Sequence, residues 1–243
     1  NQGFNMILDA SGNVYVHGIY TSNTLTIYDG SGSSFADFSN YGDYDIFIVK
    51  YSSDGTPQWA RNIGGTSNDL PLNIVLDASS NVYVSGEYLS NQLTIYNEDG
   101  TSFADITNSN SNFTHDNFIV KYNSDGTPQW VRIIGGISNS QLINIILDVS
   151  ANLYAYGMFG SGEFTIYNAN ETSFAQFSNS GSYDGFIVKY NTDGTPQWAR
   201  QIAGNGYDQP LTMVLDASAN VYVNGTYTSN TLTIYNEDES TFA

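Results

Sequence analysis

The 243-residue chain carries 24 acidic against 6 basic side chains, for a formal net charge of −18, and it has no cysteine. A surface this acidic repels phosphate backbones and anionic lipid, and the missing thiols exclude a disulfide scaffold, thiolate zinc sites and cysteine nucleophiles. With 40% apolar and 14% aromatic residues the chain can bury one sizeable core, while no run of about 18 apolar residues is present to insert in a membrane.

The opening Asn1-Gln2-Gly3 lacks the basic and apolar regions of a signal peptide, so any export signal is expected to have been removed or to lie outside the chain. The first patterned block runs from Leu8 to Val16, with an Asp-x-Ser-x-Asn turn between two short strands. Thr21 to Tyr28 follows, and is identical to Thr228–Tyr235. Phe47-Ile48-Val49-Lys50-Tyr51 predicts a strand that is apolar on both faces, and Gly55-Thr56-Pro57-Gln58-Trp59 predicts its return. In the next stretch Leu72 to Leu76 is a strand, Asp77 to Asn81 a turn and Val82 to Val84 the returning strand. A weaker hairpin joins Leu93–Tyr96 to Ser102–Ile106 through Asn97-Glu98-Asp99-Gly100. Phe118–Tyr122 and Gln129–Ile133 flank Ser124-Asp125-Gly126, where glycine accepts a positive φ without a Cβ clash. No segment has sustained helical periodicity with caps.

These blocks recur. The Leu-Asp hairpin begins at Leu8, Leu76, Leu147 and Leu215, in steps of 68, 71 and 68 residues, and the Lys strand begins at Phe47, Phe118 and Phe186. The three extra residues fall between Tyr96 and Phe118, in a connection where a surface loop tolerates them. The fold class read from this pattern is an all-β, propeller-type array of about 3.5 units of 68–71 residues, open or part of a longer propeller. A solenoid would predict a shorter period. One repeat domain is expected over 1–243, with units at about 1–46 (partial), 47–117, 118–185 and 186–243.

The run Asp116-Asn117-Phe118-Ile119-Val120-Lys121-Tyr122-Asn123-Ser124-Asp125-Gly126, followed by Gln129-Trp130-Val131-Arg132 and Ile134-Gly135-Gly136, resembles the bacterial β-propeller repeat of the SBBP type. So do Leu147-Asp148, Asn152-Leu153-Tyr154 and Gly157 after it. The resemblance covers nearly the whole chain, three times in full and once in part. It implies a four-stranded blade running from the Phe-Ile-Val-Lys-Tyr strand to the Val-Tyr-Val strand, in a secreted or cell-surface protein without a defined activity. The sequence departs from the pattern twice: Gly12 is replaced by Ser80, Ala151 and Ala219, and the acid at Asp69 and Asp208 is replaced by Ser140. Four Leu-Asp hairpins against three Lys/Trp hairpins do not close a ring of whole blades. The chain is therefore expected to be a segment of a longer array or to borrow a hairpin from a neighbouring molecule. Open ends favour self-association head to tail, as in a fibre.

Candidate sites follow the same repeat. All six bases, Lys50, Lys121, Lys189, Arg61, Arg132 and Arg200, occupy equivalent positions. They form either an anion-binding ring or ion pairs with acids such as Asp77, Asp148 and Asp216. Trp59, Trp130 and Trp198 are either core between sheets or platforms on which sugars stack, with Arg61 on the same strand side as Trp59. The acidic loops Asn97–Asp99 and Asn236–Glu239 are solvated or hold calcium, although EF-hand spacing is missing. His17 and His115 stand at non-equivalent positions without a nucleophile motif. No catalytic residue, cofactor or metal site is expected; carboxylate-based hydrolysis of sugars or polyesters is the weakest of the readings. Three sequons, at Asn112, Asn170 and Asn224, mark potential glycosylation, with Asn112 and Asn170 in the variable connection. The expectation is a non-enzymatic extracellular or cell-surface structural or adhesive protein, with self-association or glycans as partners. A glycan-binding module is the alternative.

Overall fold

A computed structural model describes residues 2–108, 115–136, 140–160, 162–236 and 240–241, and every regular element among them is a strand. The chain divides into two compact units, one of Asn1–Asn108 with Val120–Gln129, the other of Ser109–Ile119 with Trp130–Ala243.

In the first unit the strands are β1 (Gln2–Leu8), β2 (Val14–Tyr20), β3 (Thr24–Tyr28), β4 (Ser34–Ser39) and β5 (Asp45–Tyr51). They continue with β6 (Pro57–Gly65), β7 (Asp69–Leu76), β8 (Val82–Tyr88), β9 (Gln92–Tyr96) and β10 (Ser102–Thr107). The unit boundary passes through β11 (Asp116–Tyr122) and β12 (Pro128–Gly136). The second unit adds β13 (Ser140–Leu147), β14 (Leu153–Phe159), β15 (Glu163–Tyr167), β16 (Ser173–Ser178) and β17 (Asp184–Tyr190). It ends with β18 (Pro196–Ala203), β19 (Asp208–Leu215), β20 (Val221–Tyr227) and β21 (Thr233–Tyr235).

The main sheet of the first unit has the order β1-β2-β5-β6-β9-β10, and that of the second β13-β14-β17-β18-β21. In these sheets the Leu-Asp hairpin shares a sheet with the Lys/Trp hairpin that follows it, not the one before it. This corrects the strand order implied by the resemblance: the sheet runs from the Leu-Asp hairpin to the Lys/Trp hairpin, not from the Phe-Ile-Val-Lys-Tyr strand to the Val-Tyr-Val strand. The reason is a fit between glycine and phenylalanine. β2 and β5 pair in register from Val14↔Tyr51 to Tyr20↔Asp45, which opposes Gly18 to Phe47. A Cβ on Gly18 would lie 2.8 Å from the Phe47 ring, and one on Gly157 2.8 Å from the Phe186 ring opposite it. The carbonyls of Gln2 and Gln141, in the hairpin partner strands, would be closer still at 2.1 Å, so both neighbours of the strand require glycine there. The weaker hairpins are sheet extensions: β9 continues β6 through Ile63↔Ile95, β15 continues β12 through Ile134↔Ile166, and β21 continues β18 through Ile202↔Ile234.

Inner strands are apolar on both faces, as expected of sheets covered from two sides. Ile46, Ile48 and Val49 are buried on β5, as are Phe186 and Val188 on β17. One cluster in the first unit gathers Tyr20, Leu25, Ile27, Val49 and Ala60; one in the second gathers Tyr154, Tyr156, Ile187 and Met213.

The four Leu-Asp turns share one latch. Asp9 Oδ1 accepts from the N–H of Ser11 and of Asn13, while Oδ2 accepts from Asn13 Nδ2 and the Tyr15 hydroxyl. Asp77, Asp148 and Asp216 repeat it with Asn81, Asn152 and Asn220. The turn needs a positive φ at its fourth residue: +78° at Gly12, and 58°, 61° and 62° at Ser80, Ala151 and Ala219. Replacing glycine has left the conformation in place, because the carboxylate holds four donors that this bend brings together. The left-handed residue still costs about 1 kcal/mol with a Cβ. Ala151→Gly should therefore stabilise the chain by roughly 0.5–1 kcal/mol in urea unfolding; an unchanged or lower midpoint would show that the latch removes the strain.

Candidate functional site

Each Lys/Trp hairpin places its cations on aromatic rings. The ammonium groups of Lys50, Lys121 and Lys189 lie 5.1, 5.0 and 5.0 Å from the ring centres of Tyr15, Tyr83 and Tyr154. The guanidinium carbons of Arg61, Arg132 and Arg200 lie 5.9, 5.3 and 5.4 Å from Trp59, Trp130 and Trp198. Residues two apart on a strand share a face, and the Trp-x-Arg spacing uses that. Of the ion pairs expected between the lysines and arginines and Asp77, Asp148 and Asp216, the structure shows an influence of Lys189 on Asp148, while Arg61 pairs with Glu98 instead. Those acids serve the turns, and the arginines turn to backbone carbonyls. Arg61 Nε donates to Gly126 O at 2.8 Å and Arg132 Nε to Gly194 O at 2.6 Å. Burial pulls the Arg132 guanidinium below its usual pKa. Burial raises the Asp148 carboxyl, but hydrogen bonds from Asn152 and the Ser150 N–H, with a smaller contribution from Lys189, hold it below its usual range. Arg61 makes an ion pair with Glu98 at 3.3 Å, so that part of the acidic loop Asn97–Asp99 is engaged; its counterpart Glu237–Glu239 lies outside the described residues.

Two of the three tryptophans are sealed. Trp59 is 4% exposed and Trp130 8%. Trp59 Nε1 donates to Ser124 O at 3.1 Å and Trp130 Nε1 to Thr192 O at 3.2 Å, so each indole is capped by the turn of the next Lys/Trp hairpin. A Cβ on Gly126 would approach Trp59 Cδ2 to 2.6 Å, and one on Gly194 would approach Trp130 Cδ2 to 2.8 Å. These rings have no face left for a sugar. Trp198 differs. It is half-buried and lines an apolar groove of about 460 Å³ with Ile187, Arg200, Val223, Gly225 and Tyr227.

Sequence reasoning missed a second repeated feature, the buried acids where the Lys strand and the next Leu-Asp hairpin begin. Asp45 and Asp69 are fully buried, and both draw on the Gly65 N–H. Burial pushes Asp45 up to about 6; burial, with the Asp45 charge nearby, pushes Asp69 up to about 7. In the second unit burial likewise raises Asp184, beside Asp208, whose two oxygens accept from Ser229 Oγ at 2.7 Å. The middle repeat replaces the second acid by Ser140, and Asn117 closes the gap: its Nδ2 donates to Ser140 Oγ at 2.7 Å and its Oδ1 accepts from Leu142 N–H at 2.9 Å. Position 117 corresponds to Ile46 and Gly185, so the amide and the serine arrive together.

His17 is wholly buried, and burial pulls its pKa down to about 4. Of the sequons, Asn170 is exposed and its Oδ1 accepts from Thr172 Oγ1 at 2.6 Å. Asn224 is exposed on the groove, whereas its counterparts His17, Ser85 and Tyr156 are buried. Asn112 lies outside the described residues. Among the described residues no three His, Cys, Asp or Glu side chains converge as a metal would require.

No family model matches the chain. An uncharacterised WD repeat-containing protein of Acanthamoeba polyphaga mimivirus is 26% identical over 186 residues, covering 75% of this chain and 13% of that protein. The regulatory protein FlaEY of Caulobacter vibrioides is 27% identical over 156 residues, covering 64% of this chain and 15% of that protein. The chain thus spans 13% and 15% of the length of these curated relatives. With its repeated antiparallel sheets, it is a repeat-type β protein with a propeller-type array.

Two outcomes follow. Protonated Asp69 is the form favoured by folding, so its stabilisation is complete below the ordinary carboxylate range and is lost as pH rises through about 7. Asp69→Asn should exceed the parent in stability at pH 8 by about 1 kcal/mol or more, with the gap shrinking below pH 6; urea midpoints that differ equally at both pH values would contradict this. In the turns, Gly55→Ala should cost about 1 kcal/mol through its positive φ alone, and Gly126→Ala at least about 1 kcal/mol more through contact with Trp59. Equal losses would mean that the indole is not tightly capped.

Proposed function

We propose that the chain is repeat material of an SBBP-type β-propeller protein, acting as a non-enzymatic structural or adhesive component outside the cell. One observation carries this reading: the side chains that most often do chemistry recur in each unit and are engaged in packing. Lysines lie on tyrosines, arginines reach turn carbonyls, and the two most buried indoles lie under turns. The raised carboxylates are buried as well. A hydrolase needs an acid and a base that a substrate can reach. The strong negative charge and the sequons fit a solvated, glycan-bearing exterior.

A glycan-binding module is the second reading, supported by Trp198 in its groove and by the exposed Tyr41 stacked on Tyr96 at 5.2 Å. Electron microscopy and light scattering of the full chain test the first reading. Concentration-dependent head-to-tail particles are expected; strictly monomeric particles at high concentration would remove the fibre. Glycan-array binding that disappears in a folded Trp198→Ala variant would favour the second reading.

A further inference from the structure

Two carboxyls come together at the bend where β5 and β7 begin. Asp45 and Asp69 are fully buried there, and both approach the Gly65 N–H. One oxygen of each is served: Asp45 Oδ2 accepts from the Tyr41 N–H at 2.7 Å, and Asp69 Oδ2 from Ser90 Oγ at 2.9 Å. The Oδ1 atom of each is left without a well-formed hydrogen bond. Equivalent bends are better supplied. In the second unit Gln201 Nε2 donates to Asp184 Oδ2 at 2.9 Å, and Ser229 Oγ reaches both oxygens of Asp208. That leaves Asp184 Oδ1 alone unserved in the pair. In the middle repeat Ser140 replaces the second acid, and Asp116 Oδ1 accepts from the Gly136 N–H at 3.1 Å. The first unit has Asn62 where the second has Gln201; its amide is one methylene shorter and turns to Tyr20 instead. The bases of the first unit are committed elsewhere, Lys50 and Lys121 over tyrosine rings and Arg61 to Gly126 O and Glu98.

We propose that this bend binds a calcium ion through Asp45 Oδ1 and Asp69 Oδ1. The proposal goes beyond the structural reading above and does not depend on it. Two carboxylates in a dry seam repel one another, and an ionised oxygen without a donor carries the full penalty of burial. A divalent cation removes both costs at once. The donors on hand are oxygens, which suits a hard cation; two carboxylates with carbonyls and water make up the roughly six to eight ligands that calcium takes in flexible geometry. The carbonyls of Gly65 and Ser67 turn into the same bend, since a Cβ on Gly42 would lie 2.5 and 2.6 Å from them. Magnesium fits less well, because it demands near-octahedral geometry and gives up its waters reluctantly. A proton shared by the two Oδ1 atoms would also satisfy them, and the experiment separates the two occupants.

Urea unfolding of the full chain at pH 8, above the values to which burial lifts Asp45 and Asp69, is compared in calcium chloride, in magnesium chloride at equal concentration and in EDTA. Calcium is expected to raise the midpoint saturably, with half the gain at roughly 10⁻⁴–10⁻³ M, and titration calorimetry to give one ion per chain; magnesium should add little. Asp69→Asn should be the more stable chain in EDTA and gain nothing from calcium. Asn62→Gln gives Asp45 the amide that Gln201 gives Asp184; it should fold and bind calcium about tenfold more weakly. A parent midpoint that ignores calcium would overturn the proposal and assign the bend to a shared proton. So would an equal calcium gain in the parent, Asp69→Asn and Asn62→Gln chains, which would mean an adventitious ion only, held by the acidic surface. Either failure leaves the structural reading in place, which glycan binding or turnover would overturn instead.

Discussion

An indole roofed by a glycine turn from the next hairpin is the contact on which the repeat depends. Trp59 and Trp130 each surrender one face to their own strand and the other to an Asp-Gly turn from a later hairpin. Truncating a buried indole costs about 3–5 kcal/mol, so the contact rewards correct stacking strongly. It also constrains its partners. The roofing residue must lack a Cβ, as at Gly126 and Gly194, while Gly55, with nothing within 4 Å of its Cβ position, is needed only for its positive φ.

With only six bases against 24 acids, the position of each cation matters. None of the repeated lysines and arginines is left to a random surface. Guanidinium suits the buried place because it is planar, weakly hydrated and able to stack on indole while donating in its plane to carbonyls. The lysines occupy the tyrosine faces, where an ammonium can keep part of its hydration. The acids divide by task. Those in turns accept several hydrogen bonds and stay ionised, as Asp125 does with Thr127 and Asp193 with Thr195, both held below the ordinary carboxylate range. At the seam between hairpins Asp45, Asp69 and Asp184 are buried, and burial raises each of them.

The seam shows how one place in the repeat can be solved twice. Asp45 with Asp69 uses a carboxyl pair around Gly65 N–H, whereas Asn117 with Ser140 uses an amide and a hydroxyl. The first leaves Asp45 Oδ1 and Asp69 Oδ1 buried without a hydrogen-bond partner, whereas the second gives its amide and hydroxyl partners at the same bend. The second does so without placing two acids side by side, so it has no cost in negative charge repulsion.

Hairpins, their turns and the three equivalent tryptophans were legible in the sequence, because alternation, Asp-Gly pairs and a period near seventy residues are local or directly countable. The Trp-x-Arg stack was legible too, since strand pleating places such residues on one face. The pairing of β2 with β5 and the burial of Asp45 and Asp69 were not. A strand has two equivalent edges, and nothing local in Val14–Tyr20 says which hairpin takes the second one; the packing of Phe47 on Gly18 decides it. A carboxylate at the start of a strand looks solvated until a distant turn closes over it. Sequence alone determined the repeated parts of this protein, and tertiary structure decided which part covers which, because covering is a property of surfaces brought together from far along the chain.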